Sequence, residues 1–223
     1  MRRCAVLLSG GLDSAVLLAR EVQDSEALPV HVRAGMAWED AEAEAIARLL
    51  AVAPFVGRCD SLATLSVDMR DVFPPSHWAL RGTAPAYDTP DEDVYLEGRN
   101  LTLLSKAAIL CARRMIPRIV LGPLAGNPFP DARPQFLGAM ARALSLGLDY
   151  EVSVEAPFLA MTKAEVIRLG LSLAVPLELT LSCMSPVNAQ HCGRCSKCRE
   201  RQDAFLSAAV DDPTSYAGEW TRR

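Results

Sequence analysis

Two stretches of this 223-residue chain hold residue types at spacings that chemistry needs. The first is L-S-G-G-L-D-S, Leu8 to Ser14, which follows a short apolar run and leads into a helical pattern. Two adjacent glycines at a helix entrance leave backbone N–H groups unpaired at the positive end of the helix dipole, which attracts phosphate. Gly10 and Gly11 put no Cβ between backbone and ligand, and Ser9 and Ser14 add hydroxyl donors. Neither G-x-x-x-x-G-K-[ST] nor G-x-G-x-x-G is present here. The plainer alternative is a tight turn in which Asp13 merely favours the helix start. The second stretch is C-x8-C-x2-C-x2-C, formed by Cys183, Cys192, Cys195 and Cys198. Four thiolates so spaced suit one tetrahedral, structural Zn²⁺ per chain, closed to substrate. A redox C-x-x-C pair is the alternative, and it leaves the other cysteines unexplained. Gly193 permits the turn between ligands. Arg194, Lys197, Arg199 and Arg201 are expected to offset the negative charge of the thiolates, with a tRNA-facing patch as the alternative. His191 is expected to be a neighbour of the site and not a ligand. Cys4, Cys59 and Cys111 fall in apolar patterns and are read as core residues.

The elements that must position these groups alternate. Cys4–Leu8 reads as a buried strand, and Leu12–Gln23 as a helix with Leu12, Ala15, Val16, Ala19 and Val22 on one face. Leu28–Val32 is a strand, Trp38–Ala51 a helix, and Pro54–Cys59 a weaker strand. Phe73–Asp93, with Pro74, Pro75, Pro85, Pro90 and Gly82, is expected to be one long loop, functional or mobile. Arg99–Met115 is a helix, Arg118–Leu121 a strand, Gln135–Leu146 a helix and Glu151–Ala156 a strand. A further helix starts at Thr162, with Thr162 and Glu165 forming a capping box. The order predicts an α/β, Rossmann-like, doubly wound parallel sheet. The expected division is a nucleotide-binding domain over 1–175 and a small C-terminal zinc-binding subdomain over 176–223.

Net charge is −4, which argues against stable nucleic-acid binding through a broad basic face. No apolar run approaches the roughly 20 residues that cross a bilayer, so no membrane association is expected. M-R-R-C-A-V-L-L has too short an apolar run for a signal peptide. The cysteine distribution suits a reducing cytoplasm.

S-G-G-L-D-S resembles the pyrophosphate-binding loop of the N-type ATP pyrophosphatases. Joined to the four-cysteine tail in a chain of this length, it resembles the 7-cyano-7-deazaguanine synthase family. Three further segments agree in order. L-E-G-R-N, Leu96–Asn100, resembles the family's P-G-R-N. P-F-P-D-A-R-P-Q-F, Pro128–Phe136, resembles Y-P-D-C-R-x-E-F. M-T-K-A-E-V-I-R-L-G, Met161–Gly170, resembles its K-A-E helix start. The resemblance implies an ATP-dependent C–N ligase that adenylates a carboxylate and couples it to ammonia. In the queuosine-type pathway this converts 7-carboxy-7-deazaguanine to the nitrile. It implies ATP with Mg²⁺ held by Leu8, Ser9, Gly10, Gly11, Leu12, Asp13 and Ser14. Lys163, Arg99 and Asp13 become the catalytic candidates, and Trp38, Arg99, Asn100, Asp131 and Arg133 the substrate contacts. A homodimer is what the resemblance suggests.

Departures cluster in the acceptor-facing parts. Val32–Asp40, V-R-A-G-M-A-W-E-D, stands where the family carries a Q-R-H-type run, and Leu124–Phe129, L-A-G-N-P-F, where it carries D-x-S-G. Glu97 replaces a proline and Ala132 a cysteine. Trp38 is either a stacking face for a heterocycle or a core aromatic. The pattern fits a divergent paralogue with the same activation chemistry and an open acceptor. A different carboxylate or amide acceptor, and a zinc protein that binds nucleotide without catalysis, are the competing readings. Sulfur transfer to tRNA would need a reactive cysteine beside the loop, and the sequence offers none there.

Overall fold

The structure is a computed structural model and describes residues 2–218; residues 1 and 219–223 of the two expected domains lie outside it. Five strands form one parallel sheet in the order β3-β2-β1-β4-β5. They are β1 (Arg2–Leu7), β2 (Ser25–Arg33), β3 (Ala63–Ser66), β4 (Arg118–Val120) and β5 (Ser153–Glu155). The helices are α1 (Leu12–Asp24), α2 (Glu39–Leu50), α3 (Trp78–Arg81), α4 (Arg99–Arg114), α5 (Pro134–Leu148), α6 (Lys163–Ser172) and α7 (Ser196–Ala208). This is the doubly wound α/β arrangement the sequence predicts.

Central strands are buried on both faces, which is why β2 reads as the continuous run Ala27 to Val32. In β1, Cys4 and Val6 join a core with Leu12, Val16, Ile46 and Phe205, beneath α1, α2 and α7. Ala5 faces the opposite core, with Leu104, Ala108 and Leu137 from α4 and α5. The chain leaves β1 toward one face and β4 toward the other. A crevice opens at such a switch point, beyond the carboxyl ends of the strands, and ligands bind there. Leu8 to Gly11 exits β1 into that crevice.

The expected strand Pro54–Cys59 is instead a series of turns, and the third strand is Ala63–Ser66. Only Phe55 of that stretch is buried, Val56 is exposed, and Gly57 takes φ +70°. No face alternates there, whereas Ala63 and Leu65 turn inward along an edge strand. The expected loop Phe73–Asp93 contains α3 and runs into a 3-10 turn, Asp91–Val94. His77 nucleates α3 by accepting a hydrogen bond from Ala79 N. At α6 the capping box is present: Thr162 Oγ1 accepts from Glu165 N, and Glu165 Oε2 accepts from Thr162 N at 2.7 Å. Helix α7 places Ala204, Phe205 and Ala208 in the same core as α1 and α6.

Candidate active site and thiol cluster

The glycine loop is held from within. Ser14 Oγ accepts from Ser9 N at 3.2 Å and donates to Gly11 O at 3.0 Å, while Ser9 Oγ accepts from Gly11 N at 3.3 Å. Gly10 takes φ +76°, and a Cβ there would stand 3.1 Å from the Glu42 carbonyl oxygen and 3.2 Å from Ile46 Cγ1. The loop therefore needs glycine for its conformation and for the approach of α2. From the other side Leu181 N donates to Gly10 O at 2.8 Å.

Asp13, in the first turn of α1, accepts from Lys163 Nζ through Oδ2 at 2.9 Å. Lys163 opens α6 and also donates to Glu200 Oε1, 2.7 Å away, on α7. Burial would lower the Lys163 pKa, but the charges of Asp13 and Glu200 outweigh it and raise it. Burial would raise Glu200, but Lys163 and Lys197 hold its carboxyl well below the usual range. Asp13 Oδ1 is buried and has no hydrogen-bond partner among the described residues.

Two adjoining chambers open around the loop. One, of about 230 Å³, is bounded by Ser9, Asp13, Trp38, Glu42, Arg99 and Lys163 among others. The second, of about 240 Å³, shares Ser9, Asp13, Glu42 and Arg99 and reaches His31 and Phe129. Tyr95 stacks on Phe129, with ring centroids 5.1 Å apart, at the wall of the first. Trp38 is 2% exposed and stacks on Trp78 at 5.6 Å and 10°. It is a core aromatic that also lines the first chamber. Asp131 lines that chamber too, while its carboxylate holds the start of α4, accepting from Asn100 N at 2.9 Å. Arg133 is exposed at the start of α5 and lines neither chamber.

Sequence reasoning missed three residues here. Glu42 is 8% exposed, and burial pushes its carboxyl up to about 7 against the pull of Arg99. In the sequence it is one acid among several in E-D-A-E-A-E; its one signal is the spacing of four from Trp38, which puts both on one helix face. His31 is buried on β2 and donates from Nδ1 to Leu8 O at 3.0 Å, since a carbonyl only accepts; burial lowers its pKa. Glu200, the second anchor of Lys163, lies two residues past the last cysteine and carried no signal of its own.

The four cysteine sulfurs lie within 4.8 Å of one another, and all four residues are buried. Separations of 3.9 Å (Cys183 to Cys195), 3.9 Å (Cys192 to Cys198) and 3.5 Å (Cys195 to Cys198) are too long for disulfides. Four sulfurs about 2.3 Å from a central ion stand about 3.8 Å apart, so the cluster fits a single tetrahedral metal. Backbone N–H groups of Ser185, Cys192 and Arg194 point at Cys183 and Cys192 sulfurs. His191 is outside the set: its Nε2 accepts from Ser182 N at 3.0 Å.

Most of the basic residues nearby also have other partners, and Arg201 keeps its charge within electrostatic reach of Cys198. Arg199 donates to the carbonyls of Tyr87 and Thr89, each at 2.7 Å, and pairs with Asp91. Arg201 is fully buried and donates to Leu177 O, Thr180 Oγ1 and Thr214 Oγ1. Lys197 pairs with Glu200. Ser196 N donates to Pro85 O and Ser185 Oγ to Gly82 O. The thiol module thus clamps the 82–91 segment while Leu181 touches the glycine loop.

Fold and site together define a Rossmann-like α/β protein with a glycine loop at its switch point and a four-thiol metal-site candidate beside it. Residues 3–209 match the family model "Queuosine biosynthesis protein QueC". The chain belongs to this family. It is 36% identical to a 7-cyano-7-deazaguanine synthase of Anaeromyxobacter dehalogenans, over 97% of this chain and 96% of that one. Proteins of the same name from Methanoculleus marisnigri and Methanospirillum hungatei are 32% and 30% identical, over 97% and 96% of this chain and 99% of each of theirs. These names indicate a synthase.

Proposed function

We propose that this chain is an ATP-dependent ligase that adenylates the carboxylate of 7-carboxy-7-deazaguanine, couples it to ammonia and dehydrates the resulting amide to the nitrile. The observation that carries the reading is the glycine loop at the switch point, with Lys163 fixed beside it by Asp13 and Glu200. A carboxylate resists attack until one of its oxygens becomes a leaving group. Joining it to the α-phosphate and releasing pyrophosphate supplies that group; ammonia then adds, and AMP departs with the former carboxylate oxygen. A second adenylation, on the amide oxygen, allows loss of that oxygen and two N–H protons as the nitrile forms.

Ser9 to Ser14 supply backbone and hydroxyl donors for the pyrophosphate end of ATP, and the α1 dipole favours its charge. Lys163 and Arg99 face charge that grows as the α–β bond breaks, and a cation already fixed in place costs little reorganisation. Mg²⁺ neutralises phosphate charge when bound; the unpartnered Asp13 Oδ1 is the oxygen that would hold it. The four cysteines would hold Zn²⁺ in a structural role, stiffening the segment that touches the loop. Incubation with ATP, ammonium and 7-carboxy-7-deazaguanine should yield AMP, pyrophosphate and the nitrile. Pyrophosphate without nitrile would reassign the acceptor, and no ATP binding would overturn the reading.

A further inference from the structure

Glu42 and Arg99 both line the two chambers and carry opposite charges, yet no ion pair joins them among the described residues. Arg99 Nε is buried and has no hydrogen-bond partner among the described residues. Among the described residues, the Trp38 side chain is the one hydrogen-bond donor to the carboxylate of Glu42. A buried carboxyl and a guanidinium left short of protein partners cost free energy, and a ligand that supplies those partners recovers the loss. In the chambers they share, Arg99 offers a donor and Glu42 a pair of acceptor oxygens. The complementary ligand edge reads acceptor, donor, donor.

Resting on the proposed function, we propose that Glu42 selects the acceptor by its 2-amino-4-oxopyrimidine edge. Its carboxylate accepts from the ring N–H and the exocyclic amine, while Arg99 donates to the ring carbonyl. An adenine-type edge presents a donor and then a ring-nitrogen lone pair, which would face the carboxylate; a 2-oxo ring would set a carbonyl against it. Trp38, whose side chain donates to Glu42, helps bound the first chamber beside it. Glu42 is therefore a specificity residue, distinct from the groups that activate ATP.

The test compares 7-carboxy-7-deazaguanine with its analogue lacking the 2-amino group, by ATP-dependent pyrophosphate release. Loss of one charge-assisted hydrogen bond should lower kcat/KM about tenfold for the wild type. In Glu42→Ala the two rings should react with a ratio near one. A ratio near one in the wild type overturns the proposal without recourse to any variant. A wild-type ratio that survives in Glu42→Ala also overturns it, as does an effect of that variant confined to the KM for ammonium. Equal turnover of both rings by the wild type defeats the role of Glu42 alone. Turnover of neither defeats the proposed function with it.

Discussion

Lys163 Nζ stands 2.9 Å from Asp13 Oδ2 across 150 positions of sequence, and the capping box at Thr162 fixes the helix turn that brings it there. Lys163→Met should lower pyrophosphate formation about a hundredfold or more, the usual loss when one fixed transition-state stabiliser is removed. It should also destabilise the fold by about 2 kcal/mol at pH 7, because two half-buried carboxylates lose their shared partner. Glu200 has a folded pKa below its ordinary 4.5, so its stabilising pairing is present above that pH and fades as pH falls below it. Urea titrations should therefore find the stability gap between variant and wild type narrowing from pH 7 to pH 3. A gap independent of pH would contradict the pairing.

Two left-handed glycines should respond differently to alanine. Gly10→Ala meets both an unfavourable φ of +76° and the backbone of α2 at 3.1 Å, and should cost about 2–3 kcal/mol and weaken ATP binding. Gly98→Ala has a similar φ of +70° but open space around the new methyl, so only the backbone cost of about 1–2 kcal/mol is expected. Thermal melts of the two variants check the ordering, which the reverse result would overturn.

Metal loss should be felt along the 82–91 segment. Cys192→Ser, or chelation of the wild type, should lower bound zinc and speed amide exchange at Gly82 to Asp91, because Ser196, Ser185 and Arg199 hold that stretch. Arg199→Ala should speed exchange near Tyr87 to Asp91 while zinc content stays at one per chain. Full zinc occupancy in Cys192→Ser would remove that cysteine from the ligand set.

The parts legible in sequence are those fixed by short-range chemistry. The S-G-G-L-D-S turn, the Thr162–Glu165 capping box and the cysteine spacing each encode their geometry within a few residues, and the structure forms the turn, the box and the thiol cluster. What sequence hid depends on long-range packing. That Arg199 and Arg201 also hold the 82–91 segment and the Leu177 carbonyl shows only once those distant stretches arrive as partners. The strand misplaced to Pro54–Cys59 is short and lies on the sheet edge, where four residues of half-buried alternation give little signal. Glu42 resembles any helix-surface acid until the glycine loop packs over it.

Glu42 also predicts a pH dependence opposite to that of Glu200. Its folded pKa of about 7 lies above the ordinary 4.5, so between those values the folded state holds a proton that the unfolded chain has lost. Stability then falls as pH rises through that window, by up to about 3 kcal/mol from this group. Glu42→Gln keeps the shape of the protonated acid and removes the ionisation. The variant should match the wild type near pH 5 and become more stable than it by pH 8, as read from denaturation midpoints at the two values. A ligand that donates two hydrogen bonds to the carboxylate favours its ionised form, so acceptor binding near pH 6 should release a proton in the wild type and none from this site in Glu42→Gln. Calorimetry in buffers of different ionisation enthalpy measures that release, and equal proton release by both proteins would show that Glu42 is not the group the acceptor meets.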